Sequence, residues 1–136
     1  MPIDYSIDHG RRLVLARGIG ILTDEDVFRY QGEVWSRADV SGYDELMDMS
    51  KVKQVALPSV KRVRKLAQLS AGMDAGPAGS KFAIVAPSDL AFGLGRMYEM
   101  YREMEARSNK EAGVFRSLGE ALAFLGVEGA VPLPPV

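Results

Sequence analysis

The chain contains no cysteine. That excludes disulfide bridges, thiolate nucleophiles and thiolate metal sites, and it fits a reducing compartment. Histidine occurs once, as His9, in a segment with turn chemistry. A zinc site would need more ligands of its kind, and a Ser–His–acid triad would have to be built on this residue alone, with no spacing that supports one. No metal and no cofactor are expected. Neither sign of charge dominates, with 17 Lys and Arg against 18 Asp and Glu. There is accordingly no global field drawing the chain to nucleic acid or to a membrane surface. No apolar run approaches the ~20 residues that span a bilayer. The N-terminal string MPIDYSIDHGRR carries charges where a signal peptide has its apolar core. The expectation is a soluble, cytoplasmic protein with no integral membrane segment.

What is present is a globular composition, 47% hydrophobic and 26% charged over 136 residues, the size of one ordinary domain. The most telling stretch runs from Lys81 to Ala106. The apolar run Phe82 to Ala86 meets Pro87, then Ser88-Asp89, then a long apolar-periodic segment. A continuous apolar strand feeding a capped helix belongs to a parallel sheet covered on its faces. The class is therefore α/β.

The remaining chain fits that class. Ile3 to Ile7 and Leu13 to Ala16 read as a β-hairpin around Asp8-His9-Gly10, and Gly18 and Gly20 suggest a bulge or strand end. Thr23 with Asp26 forms a capping box, and Asp24, Glu25 and Asp26 suit the positive end of a helix running to about Arg37. Glu45 to Met49 reads as a strand, followed by a turn, a second stretch from Val52 to Leu57, and a helix from about Ser59 to Ala71. Gly72 to Ser80 is a Gly/Ala/Pro linker, Gly113 to Arg116 a short strand, and Ser117-x-x-Glu120 caps a last helix that stops at Gly126. The order ββαβαβαβα predicts a mostly parallel sheet opened by an antiparallel hairpin, with helices on its faces. Residues 1–127 form the expected domain, and the Pro-rich residues 128–136 a loose or extended tail.

Four strings carry a family resemblance: Gly20 to Asp26 (GILTDED), Leu46 to Val52 (LMDMSKV), Phe82 to Pro87 (FAIVAP), and Val114 to Ser117 before Glu120-Ala121-Leu122. With the element order, they resemble the STAS-like superfamily of sulphate-transporter and anti-sigma-factor-antagonist domains. Closer still, they resemble its small stand-alone bacterial relatives, whose fold is grouped with lipid-binding CRAL-TRIO domains. The likeness covers about residues 3 to 126, and it implies a fold more than a function. Regulatory STAS domains open the second helix with an Asp-Ser-Ser-Gly turn whose second Ser accepts phosphate. In that register this chain has Ala56, Leu57, Pro58 and Ser59, so Ser59 stands one position late and the rest of the turn is missing.

Three features carry candidate sites. Between Met49 and Met73 lie Lys51, Lys53, Lys61, Arg62, Arg64 and Lys65 with no acid among them, leaving 11 basic and 18 acidic residues elsewhere. A helix beginning at Ser59 and bearing Lys61, Arg62, Arg64 and Lys65 offers a site for an anionic ligand or acidic partner. No aromatic residue is interleaved there to stack a base, so nucleic acid is not expected. Ser88 and Asp89 open the third helix at the carboxyl end of a strand, where ligands of α/β sheets collect. Finally Leu94, Met97, Tyr98, Met100, Tyr101 and Met104 cover about half of the third helix, more than one sheet contact commonly uses. Its surplus edge (Met97, Tyr98, Met100, Tyr101 and Met104) suits a second copy of the chain or an apolar ligand. Gly93 and Gly95 within that helix imply a close backbone approach to the sheet or to a ligand. Asp48, a carboxylate inside a strand, must be solvated or hydrogen-bonded. Together these features favour a non-enzymatic regulatory or binding module contacting an unidentified protein partner or small anionic ligand through the second helix. The alternative is a carrier of a small apolar or lipid-like ligand.

Overall fold

The computed structural model describes residues 2–56, 60–73, 79–104, 110–129, 131 and 133–134. Among these residues five strands form one sheet in the order β1-β2-β3-β4-β5: β1 (Ile3–Asp8), β2 (Leu13–Thr23), β3 (Asp44–Ala56), β4 (Ser80–Val85) and β5 (Lys110–Phe115). The first pair is antiparallel and every later pair parallel, so the expected α/β architecture with an opening hairpin is the observed one. Strand order follows chain order, and right-handed crossovers that all step the same way deposit their helices on the same face. Helices α1 (Asp24–Val34), α2 (Val60–Met73) and α3 (Asp89–Glu103) accordingly belong to the larger of the two cores. Helix α4 (Leu118–Leu125) follows the last strand and covers the opposite face.

Side-chain alternation divides the strands between those cores. Val14, Ala16, Met47, Phe82, Ile84 and Val114 face the three-helix side. Leu13, Leu15, Leu46, Ala83 and Val85 face α4. Both faces of β4 are therefore buried, which is why its sequence is apolar without interruption.

The caps are those the sequence announces. Thr23 and Asp26 exchange the two bonds of a capping box, at 3.2 and 2.9 Å. Ser88 Oγ accepts the Ala91 amide at 3.1 Å, and Ser117 Oγ that of Glu120 at 3.3 Å. Gly126 closes α4 at φ 72°, a left-handed conformation that glycine adopts without penalty.

Some boundaries differ from the sequence reading. Helix α1 ends at Val34, and a short 3-10 turn (Ala38–Val40) buries Val40. The stretch from Asp44 to Ala56 is one 13-residue strand, without the turn expected after Met49. Two register shifts against β2, near Gly18 and Gly20, absorb the irregularity and keep the pairing. Strand β5 starts at Lys110, three residues before the expected Gly113. The C-terminal segment is not loose where it is described. Val131 and Leu133 pack against the α4-side core, and the Pro134 carbonyl accepts Arg17 Nη1 at 2.9 Å.

Candidate functional site

The three helices do not close completely on the sheet. Between them lies a cavity of about 100 Å³. Leu22 and Met47 of the sheet, Val27 of α1, Val63 and Leu66 of α2, and Ala91 and Leu94 of α3 contribute to its apolar wall. Each helix presents an apolar stripe inward, as an amphipathic helix must. Gly95 brings α3 so near β5 that a methyl group there would stand 3.0 Å from Val114 Cγ1. The close approach expected of this glycine is thus an approach to the sheet. Around Gly93 the space is open.

Four residues with polar side chains, Tyr30, Gln31, Glu45 and Tyr98, border this almost wholly apolar wall. Glu45, the second residue of β3, points to the same side as Met47 because strand side chains alternate. It is 2% exposed. Tyr30 of α1 donates its hydroxyl to Glu45 Oε2 at 2.6 Å. Lys110 Nζ stands 3.9 Å from Oε1 and 3.5 Å from the centre of the Trp35 ring. Burial raises the Glu45 carboxyl above its ordinary value, while the charges of Lys110 and Arg102 and the donors of Tyr30 and Trp35 oppose that rise. Burial beside this carboxylate lifts the Tyr30 hydroxyl well above its own ordinary value, so Tyr30 keeps its proton. Tyr30, Gln31, Glu45 and Tyr98 all reach the cavity. Lys110 and Arg102 lie outside its lining, yet both are buried, with the Lys110 side chain 5% exposed and Arg102 3% exposed. An isolated buried charge would be costly, and the grouping of opposite charges with donors offsets that cost.

The residues expected to form sites are distributed differently. Lys61, Arg64 and Lys65 are exposed on the outer side of α2, as an anion-contacting face requires. Arg62 instead turns toward α1, where Nε meets Asp24 Oδ2 at 2.7 Å and the guanidinium covers Phe28 at 4.8 Å. Its charge is largely spent on holding α2 to α1. Ser59 lies outside the described residues. Ser88 is engaged as a cap, and Asp89 pairs with Arg116 at 2.8 Å. On α3, Tyr98 is buried in the core against Phe82, Met97 and Tyr101 are half-buried, and only Met100 and Met104 stand well exposed, at 60% and 69%. The five residues therefore do not form one surface edge.

Asp48 meets the demand made of a buried carboxylate. It accepts Arg17 Nη2 at 3.1 Å and the Ser50 amide at 2.9 Å. His9 Nδ1 lies 2.8 Å from the Tyr43 hydroxyl, and among the described residues no acids or histidines gather in a group able to hold a metal.

The cavity and its polar wall escaped the sequence reading. One signal was present: Tyr30 and Gln31 fall three and four residues after Val27 and before Val34, on the inward face of α1. Glu45 likewise stands two residues before Met47. Arg102 likewise falls four residues after Tyr98 on the buried stripe of α3, whereas no comparable signal marks Lys110.

No protein-family model matches this chain, and no curated protein matches it in sequence. Among solved structures it is similar to an uncharacterised protein of the DUF3478 family from Shewanella loihica PV-4, which has a SpoIIAA-like fold. The match has a TM-score of 0.57 at 18% identity and covers 90% of this chain and 93% of the other. The fold is thus SpoIIAA-like, the STAS-like arrangement that the resemblance implied.

Proposed function

We propose that the chain is a non-enzymatic binding protein whose ligand is a small, predominantly apolar molecule held in the cavity beneath α1, α2 and α3. The observation that carries this reading is the cavity itself: about 100 Å³ of space with an almost wholly apolar wall, to which Tyr30, Gln31, Glu45 and Tyr98 also contribute. Small-molecule sites have that composition. Unfilled apolar space costs stability, since side chains beside a void lose their contacts. The lipid-binding side of the family resemblance points the same way. Tyr30 and Glu45 are joined to one another by a hydrogen bond, an arrangement that suits recognition better than turnover.

A second reading keeps one specific support. Helix α2 lines the cavity with Val63 and Leu66 while Lys61, Arg64 and Lys65 face solvent. An acidic partner bound to that outer face would sense any shift of α2 that ligand entry causes.

Native mass spectrometry of protein purified gently from its own cells tests the first reading. Extra mass that disappears on denaturation is the expected result. The Ala91→Phe variant, whose ring fills the cavity, should remain folded and carry no such mass. A bare wild-type chain would remove the carrier reading and leave the α2 face as the place to search for partners. Extra mass that survives denaturation would mean covalent modification, and would return attention to Ser59.

A further inference from the structure

The reading of the cavity as a ligand site leaves the chemistry of its occupant open, and the polar wall narrows it. Tyr30 has one hydroxyl proton, and it is directed at Glu45 Oε2. Tyr30 therefore has no proton left for a ligand. Lys110 stands 3.9 Å from the other carboxylate oxygen of Glu45, beyond hydrogen-bond distance, and a carboxylate has about four acceptor sites, so even with the donors of Tyr30 and Trp35 acting on it Glu45 retains capacity to accept. The Gln31 amide and the Tyr98 hydroxyl can each donate or accept and do not discriminate. Glu45 is thus the selective group, and what it asks for is a donor.

Charge narrows the choice again. An anionic head would lie against the Glu45 carboxylate, and a like charge in a low-dielectric site is strongly disfavoured. A cationic head would have to leave water and would meet the fields of Lys110 and Arg102, which already act on Glu45. A neutral hydroxyl has neither penalty. The volume sets the size: an apolar cavity of roughly 150 Å³ accepts benzene, so about 100 Å³ suits some four or five non-hydrogen atoms or the tip of a longer chain.

We infer that the cavity takes a small neutral alcohol, with its hydrocarbon part among Val63, Leu66 and Leu94 and its hydroxyl donating to Glu45. The inference rests on the proposed function, and the test separates the two. Methyl-detected NMR titrations would compare 1-butanol, its isomer diethyl ether (equal in size but lacking a donor), butyrate and n-butylamine. The expected result is a saturable shift of the Val63, Leu66 and Leu94 methyls with 1-butanol, at an affinity at least roughly ten-fold above each of the others, the scale of a hydrogen bond to a charged acceptor. Tyr30→Phe, which frees Oε2, should keep or tighten butanol binding. Glu45→Gln should erase the preference over ether. Ether, butyrate or butylamine binding as well as butanol at these methyls would overturn the inference and leave the cavity reading intact. If no probe gives saturable shifts there, the cavity reading fails and the inference fails with it.

Discussion

A carboxyl group buried as Glu45 is must influence how stability responds to pH. Its pKa is raised above the ordinary 4.5, with desolvation as the leading cause. The folded chain then binds this proton more readily than the unfolded chain. Wherever the native state holds the extra proton, stability falls as pH rises. The contribution of Glu45 is therefore most favourable below its ordinary pKa, and it is lost as pH climbs through the raised value. Urea unfolding of wild type and Glu45→Gln across about pH 4 to 7 should show the difference between them shifting against the wild type as pH increases. A difference independent of pH would mean that the carboxyl is solvated after all. Asp48 is a buried carboxylate of another kind, held by Arg17 and by the Ser50 amide. Removing one partner of such a pair leaves the other uncompensated. Asp48→Ala is expected to cost about 3 kcal/mol in the same assay, and an effect under about 1 kcal/mol would show the pair to be dispensable. The need of Asp48 for a partner was legible in the strand pattern, whereas the identity of Arg17 as that partner came from the pairing of β2 with β3.

Two glycines in one helix show how an element is decided partly by its own residues and partly by its neighbours. Both carry the same intrinsic penalty relative to alanine, ~1 kcal/mol. At Gly93 a methyl group would enter open space, so Gly93→Ala should stabilise the protein by about 0.5 to 1 kcal/mol. At Gly95 the same methyl would press on Val114 at 3.0 and 3.2 Å. Gly95→Ala is expected to gain less or to destabilise, because overpacking opposes the helix propensity. Thermal unfolding of the two variants decides the matter, and equal gains would mean that α3 is free to move off the sheet. The composition of α3 suggested a broad surface edge. Burial of Tyr98 and partial burial of Met97 and Tyr101 narrow that edge to Met100 and Met104, because the helix beds deeper against β5 and α2 than one sheet contact requires. In α2 the excess of basic residues was visible as a charge run. That Arg62 would turn aside to Asp24 depended on where α1 came to lie.

At the scale of the whole molecule, the C-terminal segment completes the second core. Val131 and Leu133 cover the α4 face, and the Pro134 carbonyl receives Arg17, whose guanidinium also holds Asp48. A chain ended after Gly129 should lose about 1 to 3 kcal/mol, the scale of two partly buried aliphatic side chains and one hydrogen bond, read as a lower urea midpoint. An unchanged midpoint would show that the segment only rests on the surface. Local sequence was enough for the class, the order of the elements, the caps of α1, α3 and α4 and the opening hairpin. These follow from local periodicity, from capping chemistry and from the handedness of crossovers, none of which requires knowledge of distant contacts. That α1, α2 and α3 leave a cavity, that Glu45, Tyr30, Lys110 and Arg102 gather beside it, and that the C-terminal segment docks emerged with the assembled fold. These features depend on how residues remote in the chain meet and on whether their volumes fill the space between them, which no local pattern encodes.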